Sequence, residues 1–150
     1  MNKIIEIVNL CNLHQISLAA VESFTGGLFA SQIVAVAGAS HCFAGALVTY
    51  QNKIKAKLGI NCDQGVVNAV TAQEMALKGK TYFDVDYCLS FTGNAGPIAI
   101  EDKPVGLIYV AINERIFQLQ IPFKRREQIQ KFAVDFAVDK LLEIIKNRIK

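Results

Sequence analysis

The chain has 150 residues, of which 52% are hydrophobic, and a formal net charge of +3. This length predicts a single domain over residues 1–150, and a domain of that size buries roughly 70% of the surface that its unfolded chain exposes. Polar residues interrupt every apolar stretch before the ~18 residues of a membrane span, and the mild charge, without Trp or a concentrated basic stripe, argues against membrane or nucleic-acid partners.

The chain begins with a pattern typical of a helix. Its first residues alternate charged and apolar side chains, unlike a secretory signal, so we expect a cytoplasmic protein. Ile4, Ile7, Val8 and Cys11 fall near one helical face, which predicts an amphipathic helix that ends around Leu13.

A strand, a tight turn and a helix follow. The apolar run 16–22 stops at the turn 23–27, Ser-Phe-Thr-Gly-Gly, and a helical pattern begins at Leu28. Residues 43–50 indicate a second buried strand, which leads into a lysine-rich segment, 52–58. This order of elements is typical of the repeating units of α/β proteins.

The middle of the chain predicts another helix and strand. Thr71 precedes Glu74 by three positions, which is the capping-box spacing, so we expect a helix from Thr71 to about Tyr82. A third strand over 87–91 then leads into the loop 92–97, Thr-Gly-Asn-Ala-Gly-Pro.

The last third predicts a hairpin and a long helix. Apolar runs at 105–112 and 116–121 flank Asn113-Glu114-Arg115, while residues 125–148 lack Gly and Pro and repeat apolar side chains at helical spacing. Alternating helices and strands followed by a hairpin predict an α/β fold, a three-layer α/β/α arrangement around a mixed β-sheet.

The two glycine-containing loops, 23–27 and 92–97, carry the residues suited to chemistry. Each follows a predicted strand, and open α/β sheets bind ligands beyond the carboxyl ends of their strands. Glycine lets the backbone approach a ligand, and free amides at a helix start favour an anion or an oxyanion. We interpret the two loops as parts of one site.

Ser23 is the candidate nucleophile, and it needs a neighbouring base to take its proton. The two histidines are poor candidates, because His14 precedes the first strand and His41 lies in a loop without an acidic partner. Lys55 follows a strand end, and a lysine shielded from water loses its proton more readily. Two alternatives stay open: Ser23 as a plain helix N-cap, and Lys55 as a solvated lysine.

Several motifs together resemble the CinA C-terminal domain family over nearly the whole chain. They are Glu22-Ser23-Phe24-Thr25-Gly26-Gly27, Gly38-Ala39-Ser40, Val48-Thr49-Tyr50-Gln51-Asn52-Lys53-Ile54-Lys55, Leu58-Gly59-Ile60, Thr92-Gly93-Asn94-Ala95-Gly96-Pro97 and Lys103-Pro104-Val105-Gly106. The family includes amidases, or deamidases, that convert nicotinamide mononucleotide to nicotinic acid mononucleotide and ammonia. The resemblance implies a hydrolase of pyridine nucleotide salvage that binds a small pyridine nucleotide, uses no metal or other cofactor, and forms a homo-oligomer. Many members carry a further N-terminal domain, so we expect this chain to act as a stand-alone form.

The resemblance also assigns residues to the site. It makes Ser23 the nucleophile of an acyl-transfer reaction and Lys55 its general base, with Tyr50 orienting this pair or relaying a proton. The substrate-binding residues that it implies are Thr25, Gly26, Gly27, Asn52, Thr92, Gly93, Asn94, Ala95, Gly96 and Arg126. The last of these is suited to the nucleotide phosphate, since Arg donates two parallel hydrogen bonds.

The chain departs from the family pattern at several positions. Ile98-Ala99-Ile100 replaces a glycine-rich stretch after Pro97, Gln130 and Asn68 stand where the family has Arg and Ser, and the usual Gly before Arg126 is missing. These differences motivate an alternative function, a nucleotide-binding or competence- and DNA-damage-related regulatory module that lacks turnover.

Overall fold

The chain forms a five-stranded mixed β-sheet with helices on both faces. The computed structural model describes residues 2–122 and 124–150. Its elements in chain order are α1 (Lys3–His14), β1 (Leu18–Glu22), α2 (Leu28–Val34), a 3-10 helix (Ala39–His41), β2 (Phe43–Val48), α3 (Asn52–Lys57), α4 (Ala69–Phe83), β3 (Tyr87–Gly93), β4 (Leu107–Ile112), β5 (Arg115–Gln120) and α5 (Arg126–Arg148). The predicted three-layer α/β/α class is confirmed.

The sheet has the strand order β2-β1-β3-β4-β5. Strand β1 is parallel to both of its neighbours, β2 and β3, whereas β4 and β5 continue the sheet in antiparallel fashion. The chain leaves β1 toward β2 on one side and returns to β3 on the other side. The carboxyl ends of β1, β2 and β3 therefore meet at one edge, where the order reverses and α/β sheets hold their ligands.

Two apolar layers hold the helices on the sheet. Helices α1, α2 and α5 cover one face, where the rings of Phe29 and Phe91 pack in a tilted arrangement with centroids 5.7 Å apart. Helix α4 covers the other face and approaches it closely at Gly79, where a Cβ atom would lie 2.5 Å from a methyl group of Val21. The backbone of α4 can reach β1 only because this position carries no side chain.

The predicted start of the helix α4 is wrong. Asn68 is its N-cap and accepts a hydrogen bond from the Thr71 amide at 2.7 Å, so Thr71 lies inside the first turn. The carboxylate of Glu74 instead accepts from the Asn61 amide at 2.9 Å. Asn caps helices as well as Thr does, and the nearby Thr-x-x-Glu spacing concealed the true cap.

Other elements differ from their predicted bounds by a few residues. The lysine-rich segment contains the short helix α3, and β3 extends to Gly93. The hairpin turn shortens to two residues because Asn113 adopts a φ of 54° and its side chain accepts a hydrogen bond from the Cys88 amide. Among the described residues, no helix combines the length and the apolar character needed to cross a membrane.

Candidate active site

The carboxyl-terminal edge of the sheet brings Ser23 and Lys55 together. Ser23 directly follows β1, and its amide continues the strand pairing by donating to the carbonyl oxygen of Phe91 at 3.0 Å. The Nζ atom of Lys55 lies 2.9 Å from the Ser23 Oγ atom. Ser23 is 8% exposed and Lys55 1% exposed, so the two groups interact out of contact with bulk water.

Lys55 is buried because of its position on α3. The neighbouring Lys53 and Lys57 lie on other sides of this short helix and are exposed. The amine of Lys55 points back at the end of β2, where it also contacts the carbonyl oxygens of Thr49 at 2.7 Å and Tyr50 at 3.0 Å. The alternative that Lys55 is a solvated lysine is therefore wrong.

The surroundings of Lys55 favour a neutral amine, which is the form that can accept a proton. Burial lowers the pKa of Lys55 below its usual 10.5, while Cys62 and Glu101 oppose this shift to a smaller extent. A neutral amine has two hydrogens, and the carbonyl oxygens of Thr49 and Tyr50 can only accept hydrogen bonds. Its lone pair is then left for the hydroxyl of Ser23, which is the arrangement of a nucleophile and its base.

Glu22 holds the turn that carries Ser23. Its fully buried carboxylate accepts hydrogen bonds from the Thr25 hydroxyl at 2.7 Å, the Phe29 amide at 3.1 Å and the Ala30 amide at 3.0 Å. The hydroxyl hydrogen of Thr25, a predicted substrate contact, is thus committed to Glu22. Sequence analysis gave Glu22 no role, because Glu22 lies six residues before the first residue of α2.

Replacing Glu22 by Ala is expected to lower the free energy of unfolding by about 3 kcal/mol, because a buried hydroxyl and two helix amides lose their acceptor. Urea denaturation measures this change. Glu143→Ala is the matched control, since Glu143 lies exposed at the surface and its loss should cost less than about 0.5 kcal/mol. Equal midpoints for the two variants would contradict the role of Glu22.

The turn after Ser23 presents backbone amides next to the Ser23 hydroxyl. Gly26 and Gly27 adopt φ values of 59° and 100°, which L side chains rarely adopt. In the described part of the chain, the amides of Phe24 and Thr25 have no backbone acceptor. The Phe24 carbonyl accepts from the Gln130 side chain at 2.8 Å, a contact that sequence analysis missed. This arrangement leaves the Phe24 amide available to an anion or an oxyanion.

The second loop lies beside the first, but two of its predicted binding side chains hold the protein together. The Thr92 hydroxyl donates to the Val66 carbonyl at 2.7 Å, and the Asn94 amide donates to the Lys103 carbonyl at 2.9 Å. The carboxylate of Glu101 also contacts Val66, by accepting a hydrogen bond from its amide at 2.8 Å. These contacts fix the loop 92–103 against the start of α4. Gly93, the last residue of β3, and Ala95 lie in this segment.

Arg126 and Tyr50 meet at the outer rim of the site. Arg126 donates to the Tyr50 hydroxyl at 2.8 Å and to the Gly96 carbonyl at 2.5 Å. Tyr50 thus contacts Lys55 through its carbonyl oxygen while its hydroxyl lies at Arg126. Asn52 lies exposed at the first turn of α3.

Comparison with known proteins shows the family of this chain. The profile of the CinA C-terminal domain matches residues 2–145. The chain belongs to the CinA C-terminal domain family. A CinA-like protein of Petrotoga mobilis is 37% identical over 141 residues, which cover 88% of this chain and 35% of the relative. A CinA-like protein of Desulfovibrio desulfuricans is 37% identical over 147 residues, with 90% and 35% coverage. The chain therefore spans about a third of the length of these curated relatives.

Solved structures share the CinA fold. A competence-damaged protein (CinA) superfamily protein from Klebsiella pneumoniae superposes with a TM-score of 0.87 at 23% identity and covers 97% of this chain and 96% of its own. A competence/damage inducible protein from Agrobacterium tumefaciens has a TM-score of 0.83 at 26% identity, with 95% and 96% coverage. The α/β architecture is thus that of the CinA superfamily.

Proposed function

We propose that this CinA domain is a nicotinamide-nucleotide amidase, which hydrolyses nicotinamide mononucleotide to nicotinic acid mononucleotide and ammonia. The observation that carries the proposal is the 2.9 Å contact between the buried Lys55 amine and the Ser23 hydroxyl. A serine beside a lysine with a lowered pKa is suited to acyl transfer, and a carboxamide is an acyl donor.

The first half of the reaction forms an acyl-enzyme. The Ser23 Oγ atom attacks the carboxamide carbon while its hydrogen moves to the lone pair of Lys55. The resulting oxyanion would accept hydrogen bonds from backbone amides of the turn, of which the Phe24 amide follows the nucleophile directly. Collapse of this intermediate breaks the carbon–nitrogen bond, and the Lys55 ammonium gives its proton to the departing ammonia.

The second half reverses these roles with water. Lys55, neutral again, takes a proton from a water molecule that attacks the acyl carbon. Lys55 then returns this proton to the Ser23 oxygen as the ester bond breaks, so the carboxylic acid product is freed and the starting state is restored. The acid loses its remaining proton to the solvent and leaves as a carboxylate. Each proton thus passes through one amine, which is why a single buried lysine suffices as base and acid.

Arg126 is proposed to bind the nucleotide phosphate. It is the first residue of α5, where the helix dipole favours an anion, and its guanidinium lies at the rim between Tyr50 and Gly96. A phosphate can replace the neutral oxygen atoms that this guanidinium now contacts, because charge-assisted hydrogen bonds are the stronger ones.

Arg126→Ala is expected to lower kcat/KM for the mononucleotide about 30-fold and for nicotinamide riboside less than about threefold, since only the first substrate has a phosphate. Steady-state ammonia assays with both substrates measure the ratio. Arg125→Ala, which removes an adjacent exposed arginine, should leave both values unchanged. Equal losses for both substrates would mean that Arg126 only supports the fold.

A second candidate is the regulatory module without turnover. The loop 98–100 carries Ile98, which is 80% exposed, in place of glycines, and a relative from Levilactobacillus brevis is described as a putative competence-damage inducible protein. Incubation of the purified protein with nicotinamide mononucleotide separates the two functions. Ammonia release supports the amidase, whereas thermal stabilisation by the nucleotide without ammonia supports the binding module.

A further inference from the structure

Thr49 carries a buried hydroxyl group without a hydrogen-bond partner. The residue is 2% exposed, and its Oγ1 atom meets no donor or acceptor within residues 2–122 and 124–150. Leaving a buried polar group unpaired costs free energy, so such a group needs an explanation. Its position in the sheet supplies one.

Strand pairing places the Thr49 side chain on the same face as Ser23. Glu22 pairs with Val48, and the Thr49 amide continues this ladder by donating to the Glu22 carbonyl at 2.9 Å. Val48 faces α2, since its methyl group lies 3.7 Å from where a Cβ atom of Gly27 would stand. Successive side chains of a strand point to opposite faces, so Thr49 points away from α2, toward the face where Lys55 meets Ser23.

The Thr49 hydroxyl also belongs to a residue that already contacts the Lys55 amine through its carbonyl group. The carbonyl oxygen of Thr49 accepts from the Lys55 Nζ atom at 2.7 Å, and the Oγ1 atom belongs to the same residue. Rotation about the Cα–Cβ bond moves this oxygen without moving the carbonyl. Within the described ranges, the hydroxyl of Ser23 is the only side-chain hydroxyl that is hydrogen-bonded to the Lys55 amine.

Proton transfer creates a need that this hydroxyl can meet. After Lys55 takes the proton of Ser23, its ammonium has three hydrogens, of which two point at the carbonyls of Thr49 and Tyr50. The third hydrogen is the one that came from Ser23, and the Ser23 oxygen, now bonded to the acyl carbon, is a poor acceptor for it. The protonated amine therefore lacks one acceptor at the stage when it must hold the proton.

We propose that Thr49 is a positioning residue whose Oγ1 atom accepts the third hydrogen of the Lys55 ammonium while the Ser23 oxygen is bonded to the acyl carbon. This inference rests on the proposed amidase function, in which Lys55 carries the proton. The Ser23 O–H bond breaks, a Lys55 N–H bond forms, and Thr49 accepts that hydrogen without taking it. In the free protein the Thr49 hydroxyl is unpaired because the Lys55 amine still contacts the Ser23 hydroxyl.

Thr49→Val tests the inference, since Val keeps the branched shape and removes the hydroxyl, and Thr49→Ser is the matched control that keeps it. We expect kcat to fall about 10-fold or more in the valine variant and less than about threefold in the serine variant. In the acyl-enzyme, where the Ser23 oxygen is esterified, the loss of this acceptor should also move the rising limb of the pH profile of kcat to lower pH, while the limb of kcat/KM, which reports the free enzyme, stays in place. Wild-type kcat and an unmoved limb in Thr49→Val, or an equal loss in both variants, would overturn the proposal.

A substrate-independent measurement separates this inference from the amidase proposal. A fluorophosphonate forms a bond from its phosphorus to the Ser23 oxygen and expels fluoride, while Lys55 takes the proton. Labelling of the wild type without ammonia release would refute the amidase function but still test Thr49, with about 10-fold slower labelling expected in Thr49→Val than in Thr49→Ser. Equal labelling rates in these variants, or a wild type that is neither labelled nor active, would overturn the role of Thr49.

Discussion

Ser23→Ala is expected to lower ammonia release from nicotinamide mononucleotide by about 10⁵-fold, because removing the nucleophile of a serine hydrolase removes nearly all of its turnover. Among the described residues, Ser23 carries the only side-chain hydroxyl that is hydrogen-bonded to the Lys55 amine, at 2.9 Å. A coupled ammonia assay at saturating nucleotide measures the effect. Full activity in this variant would end the proposed mechanism.

Two comparisons keep this result interpretable. Ser40→Ala removes an exposed hydroxyl near the opposite end of the sheet and should leave the rate unchanged. The Ser23→Ala variant should still be stabilised against heat by the nucleotide, since a ligand that binds only the folded state raises the melting temperature whether or not it reacts. Loss of that stabilisation would mean that the substitution damaged the binding site and not only the nucleophile.

Periodicity and turn chemistry predict most of the fold. The apolar spacing of α1 and α5 and the apolar run of β1 depend on residues close in sequence, so these elements are predicted within a few positions. The start of α4 could not be predicted in this way, because Asn68 and Thr71 are both good capping residues. The mixed sheet followed from alternating helices and strands before a hairpin, but its strand order depends on pairings between distant segments.

The site was predictable only in part. Ser23 and Lys55 could be named from their motifs, but the burial of one lysine among three follows from how α3 lies on the sheet. The hydroxyl of Tyr50 lies at Arg126, and Gln130 bonds to the Phe24 carbonyl, through contacts that join α5 to the other end of the chain. No local pattern encodes such contacts, since they depend on the packing of complete elements.

Lys55→Met is expected to lower the rate of ammonia release by about 10²- to 10⁴-fold, which is the typical contribution of a positioned general base. Met matches the length of the lysine stem and can fill the same buried space without an amine. Lys57→Met is the matched control, because it removes an exposed lysine of the same short helix, and it should retain the wild-type rate. A Lys55→Met variant as active as this control would exclude Lys55 as the base.

The same variant also tests the pKa of Lys55 through stability. Burial lowers this pKa from 10.5 in the folded protein, so between the folded value and 10.5 the unfolded chain binds the proton more tightly than the folded protein does. The free energy of unfolding therefore rises with pH across that interval. Below the interval, the cost of burying a protonated Lys55 is present in full. The free energy of unfolding of the wild type should increase relative to Lys55→Met as the pH rises toward 10.5, with Lys57→Met as the baseline. A constant difference between wild type and Lys55→Met over that range would mean that folding leaves the pKa unchanged, and the amine would then be protonated too firmly at neutral pH to serve Ser23.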